Sequence, residues 1–188
     1  ERAYVNGIVG LMATGGSTNL VLHLPAMARC SGVLLDLQDF ADLSEAVPLM
    51  AKVYPDGLAD VDHFHAAGGL QFLIGQLLDA GLLHPDAKTV AGDGLASYRQ
   101  EPVLEDGRLA WRAGPVVSLN DKIVRPAAEP FAAQGGLKLL AGNLGRGVIK
   151  VSSVAPEGAG CRAPAWGLQT HRPGAGGRQA GGGAPGPG

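Results

Sequence analysis

The stretch Gly15-Gly16-Ser17-Thr18-Asn19, followed at once by the apolar run Leu20-Val21-Leu22-His23-Leu24, is the most informative part of this chain. Glycine permits a tight turn or a close approach to a ligand, and Ser, Thr and Asn are typical of the position that precedes a helix. The pattern predicts a glycine turn into a helix N-terminus, where unpaired N–H groups can bind an anion. On spacing alone, the alternative is a loop that only caps a buried helix.

Other local patterns predict both helices and strands. Apolar residues recur at helical spacing from Leu70 to Leu78, which predicts an amphipathic helix that ends at Gly81. Asp106-Gly107 lies between two apolar runs and predicts a β-hairpin. Val33-Leu34-Leu35 predicts a short buried strand.

The composition is that of a globular domain, because 46% of the 188 residues are hydrophobic and 17% are charged. A formal net charge of −2 provides no field that would attract polyanions, so no nucleic-acid partner is expected. No apolar run reaches the roughly 18 residues that span a bilayer, so no membrane partner is expected either. The first residue, Glu1, begins neither a signal peptide nor a complete open reading frame, and we expect the chain to start inside a longer protein.

Two cysteines, Cys30 and Cys161, are too far apart in the sequence to form a zinc or redox motif. The helix predicted after Ser17 is apolar nearly all round, which favours burial of that helix within a larger protein rather than at a surface. Cys30 lies at its end and is expected to be a small buried hydrophobic residue.

Four segments in the same order resemble the family of dihydroxy-acid and phosphogluconate dehydratases. They are residues 13–29, 59–69, 79–84 and 142–150. The sequences His63-Phe64-His65, Gly81-Leu82-Leu83-His84 and Gly142-Asn143-Leu144-Gly145-Arg146 are similar to the branch of the family that acts on 6-phosphogluconate. The resemblance extends from about Arg2 to Glu157.

The resemblance implies a fragment of a hydro-lyase that removes water from 6-phospho-D-gluconate, a small phosphorylated sugar acid, to give 2-keto-3-deoxy-6-phosphogluconate in the Entner-Doudoroff pathway. It also implies a cytoplasmic enzyme that is a homo-oligomer when full length. The family uses a 4Fe-4S cluster, whose cysteine ligands align upstream of Glu1, and neither cysteine of this chain matches them. Since the family's catalytic base aligns downstream, we predict that this chain alone is inactive.

The resemblance further implies an α/β fold, with the later part of an N-terminal α/β dehydratase domain over residues 1–117 and the first strands of a C-terminal β domain over residues 136–157. Residues 118–135 are irregular and contain two prolines, which is typical of an interdomain connection. Residues 158–188 are rich in Gly, Pro, Ala and Arg and have no acidic residue, which predicts a disordered low-complexity tail. Because the resemblance stops near Glu157, a frameshift is favoured over a natural tail.

Six residues are candidates for substrate binding. They are Ser17, Thr18, Asn19, His63, His65 and Arg146. The hydroxyl and amide groups of the first three suit an anion or a sugar hydroxyl, and the guanidinium suits a carboxylate or phosphate. Structural hydrogen bonding is the alternative for the two histidines. No metal site is predicted, because no third imidazole or carboxylate stands at a persuasive spacing, although Asp60 and Asp62 are near in the sequence.

Two other functions remain open at this point. One is a dihydroxy-acid or other sugar-acid dehydratase of the same family. The other, of a different class, is a non-catalytic anion-binding or interaction fragment that uses the turn at Ser17 to Asn19.

Overall fold

The structure, a computed structural model, describes residues 1–154, in which a group of helices precedes three antiparallel hairpins. The helices are α1 (Arg2–Thr14), α2 (Leu20–Cys30), α3 (Leu37–Ala46), α4 (Val61–Ala66) and α5 (Gly69–Asp79). The strands are β1 (Lys88–Thr89), β2 (Gly92–Asp93), β3 (Gln100–Glu105), β4 (Arg108–Ala113), β5 (Leu137–Gly142) and β6 (Gly145–Lys150), with short 3₁₀ helices at Ala96–Arg99 and Val151–Ser153. The mixed α/β class is confirmed, and the tail predicted at 158–188 lies outside the described residues.

Helix α1 lies at the centre of the hydrophobic core. Its residues Ile8 and Met12 are fully buried, and they belong to one cluster with Phe40 of α3 and Phe72 and Leu73 of α5. The cluster also includes Leu137, the first residue of β5. The core therefore joins the helices to the last hairpin.

Helix α3 begins with reciprocal caps between Asp36 and Asp39. Oδ1 of Asp36 accepts a hydrogen bond from the Gln38 amide at 2.6 Å, and Oδ2 of Asp39 accepts one from the Asp36 amide at 2.7 Å. These bonds satisfy amides that have no partner inside the helix.

The prediction of a strand at Val33-Leu34-Leu35 is wrong, because these residues form no ladder with another strand of the described chain.

The burial predicted for the helix after Ser17, within a larger protein, stays a prediction, because most of this helix is exposed among the described residues. In α2 only Ala28 is buried, whereas Leu22 is 72% exposed and Met27 is 57% exposed. Cys30 is exposed as well. An apolar composition indicates that a surface favours contact with other apolar groups, but it does not indicate which part of a protein covers that surface.

None of the described helices is long and apolar enough to cross a bilayer.

The amphipathic helix and the hairpin predicted from local patterns are confirmed. Helix α5 buries Phe72, Leu73 and Leu77, and the chain turns after it at Gly81, whose φ is +69°. Strands β3 and β4 are joined by Asp106 and Gly107, with φ of 49° and 74°. Positive φ at both central residues is the geometry of the type I′ turn, which matches the twist of paired strands.

Residues 118–135 are hydrogen-bonded to the segment that follows α3. The Arg125 amide donates to the Met50 carbonyl at 2.8 Å, and the Phe131 amide donates to the Leu49 carbonyl at 2.8 Å. The described residues belong to one compact unit. The domain boundaries at 117 and 135 stay predictions.

Candidate functional site

A cleft with a volume of about 690 Å³ opens between the turn after α1, the loop at 53–55, and α4 with the start of α5. It is lined by Thr14, Gly15, Gly16, Ser17, Thr18, Val53, Tyr54, Pro55, Val61, Phe64, His65, Gly69, Leu70, Gln71 and Lys150. The walls are mostly apolar, and a small number of polar groups face the space. This combination is typical of small-molecule sites.

The turn after α1 contributes two of the predicted site residues to the cleft. Gly15 has φ of +57° and ψ of 42°, and its amide and that of Gly16 donate back to carbonyls of the last turn of α1. The chain then passes Ser17 and Thr18, which line the cleft. The left-handed conformation of Gly15 is what redirects the chain here.

The start of α2 differs from the predicted anion site of unpaired amides. The amide of Asn19 donates to Oγ of Ser17 at 3.2 Å, and the Leu20 amide donates to the Ser17 carbonyl at 3.1 Å. The side chain of Asn19 makes no capping bond, and Asn19 does not line the cleft. In the part of the chain that the structure describes, the amides of Ser17 and Thr18 make no hydrogen bond and both residues are exposed, so these two N–H groups are accessible to solvent or a ligand.

The two predicted histidines have different places. His65 lines the cleft, with Nδ1 beside Gly69. His63 lies outside it, and its Nδ1 accepts a hydrogen bond from the Asp60 amide at 3.2 Å, at the start of α4. Because residues two apart on a helix point in different directions, the helical conformation separates the pair. Structural hydrogen bonding, the alternative to substrate binding for the two histidines, therefore accounts for the observed contact of His63.

Arg146 does not line the cleft, but Lys150 does. Within the hairpin, Arg146 pairs with Ala141 near the tip, whereas Lys150 pairs with Leu137 at the base. Leu137 is buried in the core, so the base of the hairpin lies against the helices. The sequence shows both residues as cations of one glycine-rich segment. What distinguishes Lys150 from Arg146 is its pairing with Leu137, the most buried residue of β5.

Lys150 is held by a buried carboxylate. Its Nζ lies 3.0 Å from Oδ1 of Asp56, whose side chain is 0% exposed, while the side chain of Lys150 is 18% exposed. Oδ1 of Asp56 also accepts a hydrogen bond from the Ser153 hydroxyl. Oδ2 has no hydrogen-bond partner among the described residues.

Asp60, Asp62 and His63 form one further group of potential ligands, with one donor atom of each within 4.8 Å of the others. All three residues are exposed, and Nδ1 of His63 already accepts the Asp60 amide bond. Nothing else in the described chain adds a ligand to this group. It therefore carries no assignment of a metal site.

The cysteines of this chain do not fit an iron–sulfur cluster. Such clusters are held by several cysteine thiolates, and the chain has two cysteines in all. Cys30 is exposed at the end of α2 and does not line the cleft, and Cys161 lies outside the described residues. No role in the cleft is assigned to a cluster held by this chain.

Comparison with known proteins agrees with the motifs. Residues 1–98 match the family described as dihydroxy-acid/6-phosphogluconate dehydratase, N-terminal. Since this match covers more than half of the 188 residues, the chain belongs to that family.

Within the family, the chain is similar to proteins named phosphogluconate dehydratase. It is 59% identical to the one from Pseudomonas aeruginosa over 164 residues, or 87% of this chain, and 53% identical to the one from Escherichia coli over 165 residues, or 88% of it. A dihydroxy-acid dehydratase from Caldanaerobacter subterraneus is 36% identical over 159 residues, or 84% of this chain and 26% of that protein. The chain spans about 27% of the length of the two phosphogluconate dehydratases.

Proposed function

We propose that this chain is part of a hydro-lyase that removes water from 6-phospho-D-gluconate and gives 2-keto-3-deoxy-6-phosphogluconate, a reaction of the Entner-Doudoroff pathway. The observation that carries the proposal is the difference in identity, 59% and 53% to two phosphogluconate dehydratases against 36% to a dihydroxy-acid dehydratase. Over nearly the same residues, the chain shares much more with the first group.

The cleft gives this proposal a physical site. Ser17 and Thr18 offer hydroxyls and two N–H groups, and His65 offers an imidazole, so hydroxyl and phosphate oxygens of a sugar acid can be bound from two sides. The mostly apolar walls around these few polar groups are typical of a small-molecule site. Asn19 and Arg146 remain predicted contacts for the full-length parent protein, in which further segments surround this one. For His63 we favour the structural alternative, because its Nδ1 accepts the hydrogen bond of the Asp60 amide outside the cleft.

The parent protein is proposed to be a cytoplasmic homo-oligomer with an iron–sulfur cluster held by residues outside this chain. The 188-residue chain by itself is expected to be inactive. Assay of the purified chain with 6-phosphogluconate checks this directly, and formation of the 2-keto acid by the chain alone would contradict it.

The reaction is tested on the full-length parent, purified without exposure to oxygen. We expect it to convert 6-phosphogluconate to the 2-keto acid with a kcat/KM at least 100-fold above that for a branched dihydroxy acid without phosphate. The opposite preference would replace this proposal with the dihydroxy-acid activity, for which the 36% identical relative is the supporting observation.

A function of a different class, a non-catalytic anion-binding fragment, is supported by the two N–H groups of Ser17 and Thr18. It predicts that phosphate stabilises the isolated chain in the absence of iron. An intact reading frame for an active parent would contradict it as the function of the gene, whereas a reading frame interrupted on both sides would favour it.

A further inference from the structure

The base of the last hairpin brings a single ammonium group to the cleft. Lys150 is the final residue of β6 and pairs with Leu137, which is 1% exposed. Its side chain leaves the hairpin at the edge of the cleft that Ser17 and Thr18 also line. At 18% exposure, the side chain is mostly covered but still reaches the open space.

Asp56 fixes the position of this ammonium. The Asp56 amide donates a hydrogen bond to the Val53 carbonyl at 2.9 Å. Oδ1 of its carboxylate forms the ion pair with Lys150 and accepts a hydrogen bond from the Ser153 hydroxyl. Its Oδ2 lies directly against Gly15, so close that a Cβ at Gly15 would overlap with it. These contacts fix the position of the Asp56 carboxylate. The ion pair then fixes the position of the Lys150 ammonium.

An ammonium carries three N–H donors, and the ion pair of Lys150 with Asp56 is made to one oxygen atom, Oδ1. Lys150 lines the cleft and is its one lysine or arginine among the described residues. The other polar side chains of the lining are Thr14, Ser17, Thr18, Tyr54, His65 and Gln71. We propose that Lys150 binds an anionic oxygen of the substrate, either carboxylate or phosphate, and that Asp56 is its positioning residue. This inference rests on the proposed function, since a phosphorylated sugar acid supplies both anions.

Other cations of the hairpin do not share this arrangement. Arg146 pairs with Ala141 near the tip, and Lys138 pairs with Ile149 and lines a separate small depression beside α3. Lys138 therefore provides the matched control. It is a lysine of the same hairpin that does not line the cleft.

The test must separate binding from folding, because Lys150→Met alone leaves the buried Asp56 charge without a partner. We compare Asp56→Asn, which keeps the ammonium and removes the buried charge, with the double variant Asp56→Asn/Lys150→Met. For each variant of the 188-residue chain, Tm is measured against inorganic phosphate, gluconate and 6-phosphogluconate at constant ionic strength. Lys138→Met is measured in parallel.

We expect Lys138→Met to keep the stabilisation by 6-phosphogluconate and Asp56→Asn to weaken it in part, because the ammonium loses the carboxylate that positions it. The double variant should bind 6-phosphogluconate at least tenfold more weakly than Asp56→Asn does. Loss of the phosphate response assigns Lys150 to the phosphate end, and loss of the gluconate response assigns it to the carboxylate end. An equal response of the double variant and Asp56→Asn would overturn the proposal. So would a wild-type chain that responds to none of the three ligands.

The same two variants in the full-length parent distinguish this inference from the proposed function. If the parent converts 6-phosphogluconate and both variants have the same KM, the reaction is established and the role of Lys150 is refuted. If the parent does not convert 6-phosphogluconate but the chain keeps a response to phosphate that needs Lys150, the binding role stands and the proposed reaction is refuted.

Discussion

The hydroxyl of Ser44 donates a hydrogen bond to the carbonyl of Leu137, 93 residues further along the chain. Ser44 is the buried polar residue of α3, with 0% exposure, and Leu137 begins β5. The carbonyl of Ser44 in turn accepts the Gly135 amide at 2.7 Å. One residue of a helix thus holds both the start of the last hairpin and the segment that leads into it.

Ser44→Ala should destabilise the chain by about 1–3 kcal/mol, because it leaves the buried carbonyl of Leu137 without its hydroxyl donor. Urea unfolding of the 188-residue chain measures this change. Ser97→Ala is the control, since Ser97 is exposed on the surface, and it should shift the free energy of unfolding by less than about 0.5 kcal/mol. Equal changes in the free energy of unfolding for the two substitutions would show that the hydrogen bond from Ser44 to Leu137 does not stabilise the fold.

Gly15→Ala should cost about 2–5 kcal/mol, since a side chain at φ of +57° is strained and its Cβ would overlap with Oδ2 of Asp56. The control is Gly32→Ala. Gly32 has φ of +80° with no atom within 4 Å of an added Cβ, so only the backbone term of about 1–2 kcal/mol applies. The difference between the two free energies of unfolding measures the crowding at Gly15, to which Oδ2 of Asp56 contributes the shortest contact, with Leu49 and Ser152 next. A difference near zero would contradict that crowding.

Asp56 and Lys150 should show strong coupling in a double-mutant cycle of stability. Lys150→Met leaves a fully buried carboxylate unpaired and should be the more damaging change, whereas Asp56→Asn leaves an ammonium that still reaches water. The double variant should recover about 1–3 kcal/mol relative to the sum of the single changes. Denaturant unfolding of the four proteins gives the coupling energy, and additive single effects would argue against a specific ion pair.

His65 and His63 should behave differently when each is changed to Ala in the full-length parent. Loss of the cleft-lining His65 should lower kcat/KM for 6-phosphogluconate at least tenfold. Loss of His63 should remove its hydrogen bond to the Asp60 amide and cost about 0.5–1 kcal/mol of stability, with kcat/KM within about twofold of wild type. Steady-state kinetics and thermal unfolding on both variants separate the two roles, and a reversed pattern would place His63 in the site instead.

The elements that the sequence predicts correctly are those decided by neighbouring residues. The helix from Gly69 to Asp79 follows from apolar spacing, and the turn at Asp106-Gly107 follows from residues that tolerate positive φ. The strand at Val33 to Leu35 is predicted wrongly, because a strand also needs a partner, which local sequence does not specify. The burial of α2 within a larger protein stays a prediction, since burial depends on what packs against the helix.

For the candidate site, the sequence by itself determines the family, the glycine turn before Ser17 and the set of polar residues from which a site could be built. Only the tertiary structure decides which of them meet: Thr18 and His65 share a cleft, whereas His63 and Arg146 do not line it. The physical reason is that a polar side chain takes its place from contacts distant in the chain. The carboxylate of Asp56, buried between Gly15 and Ser153, brings Lys150 to the cleft, and no pattern of adjacent residues records that contact.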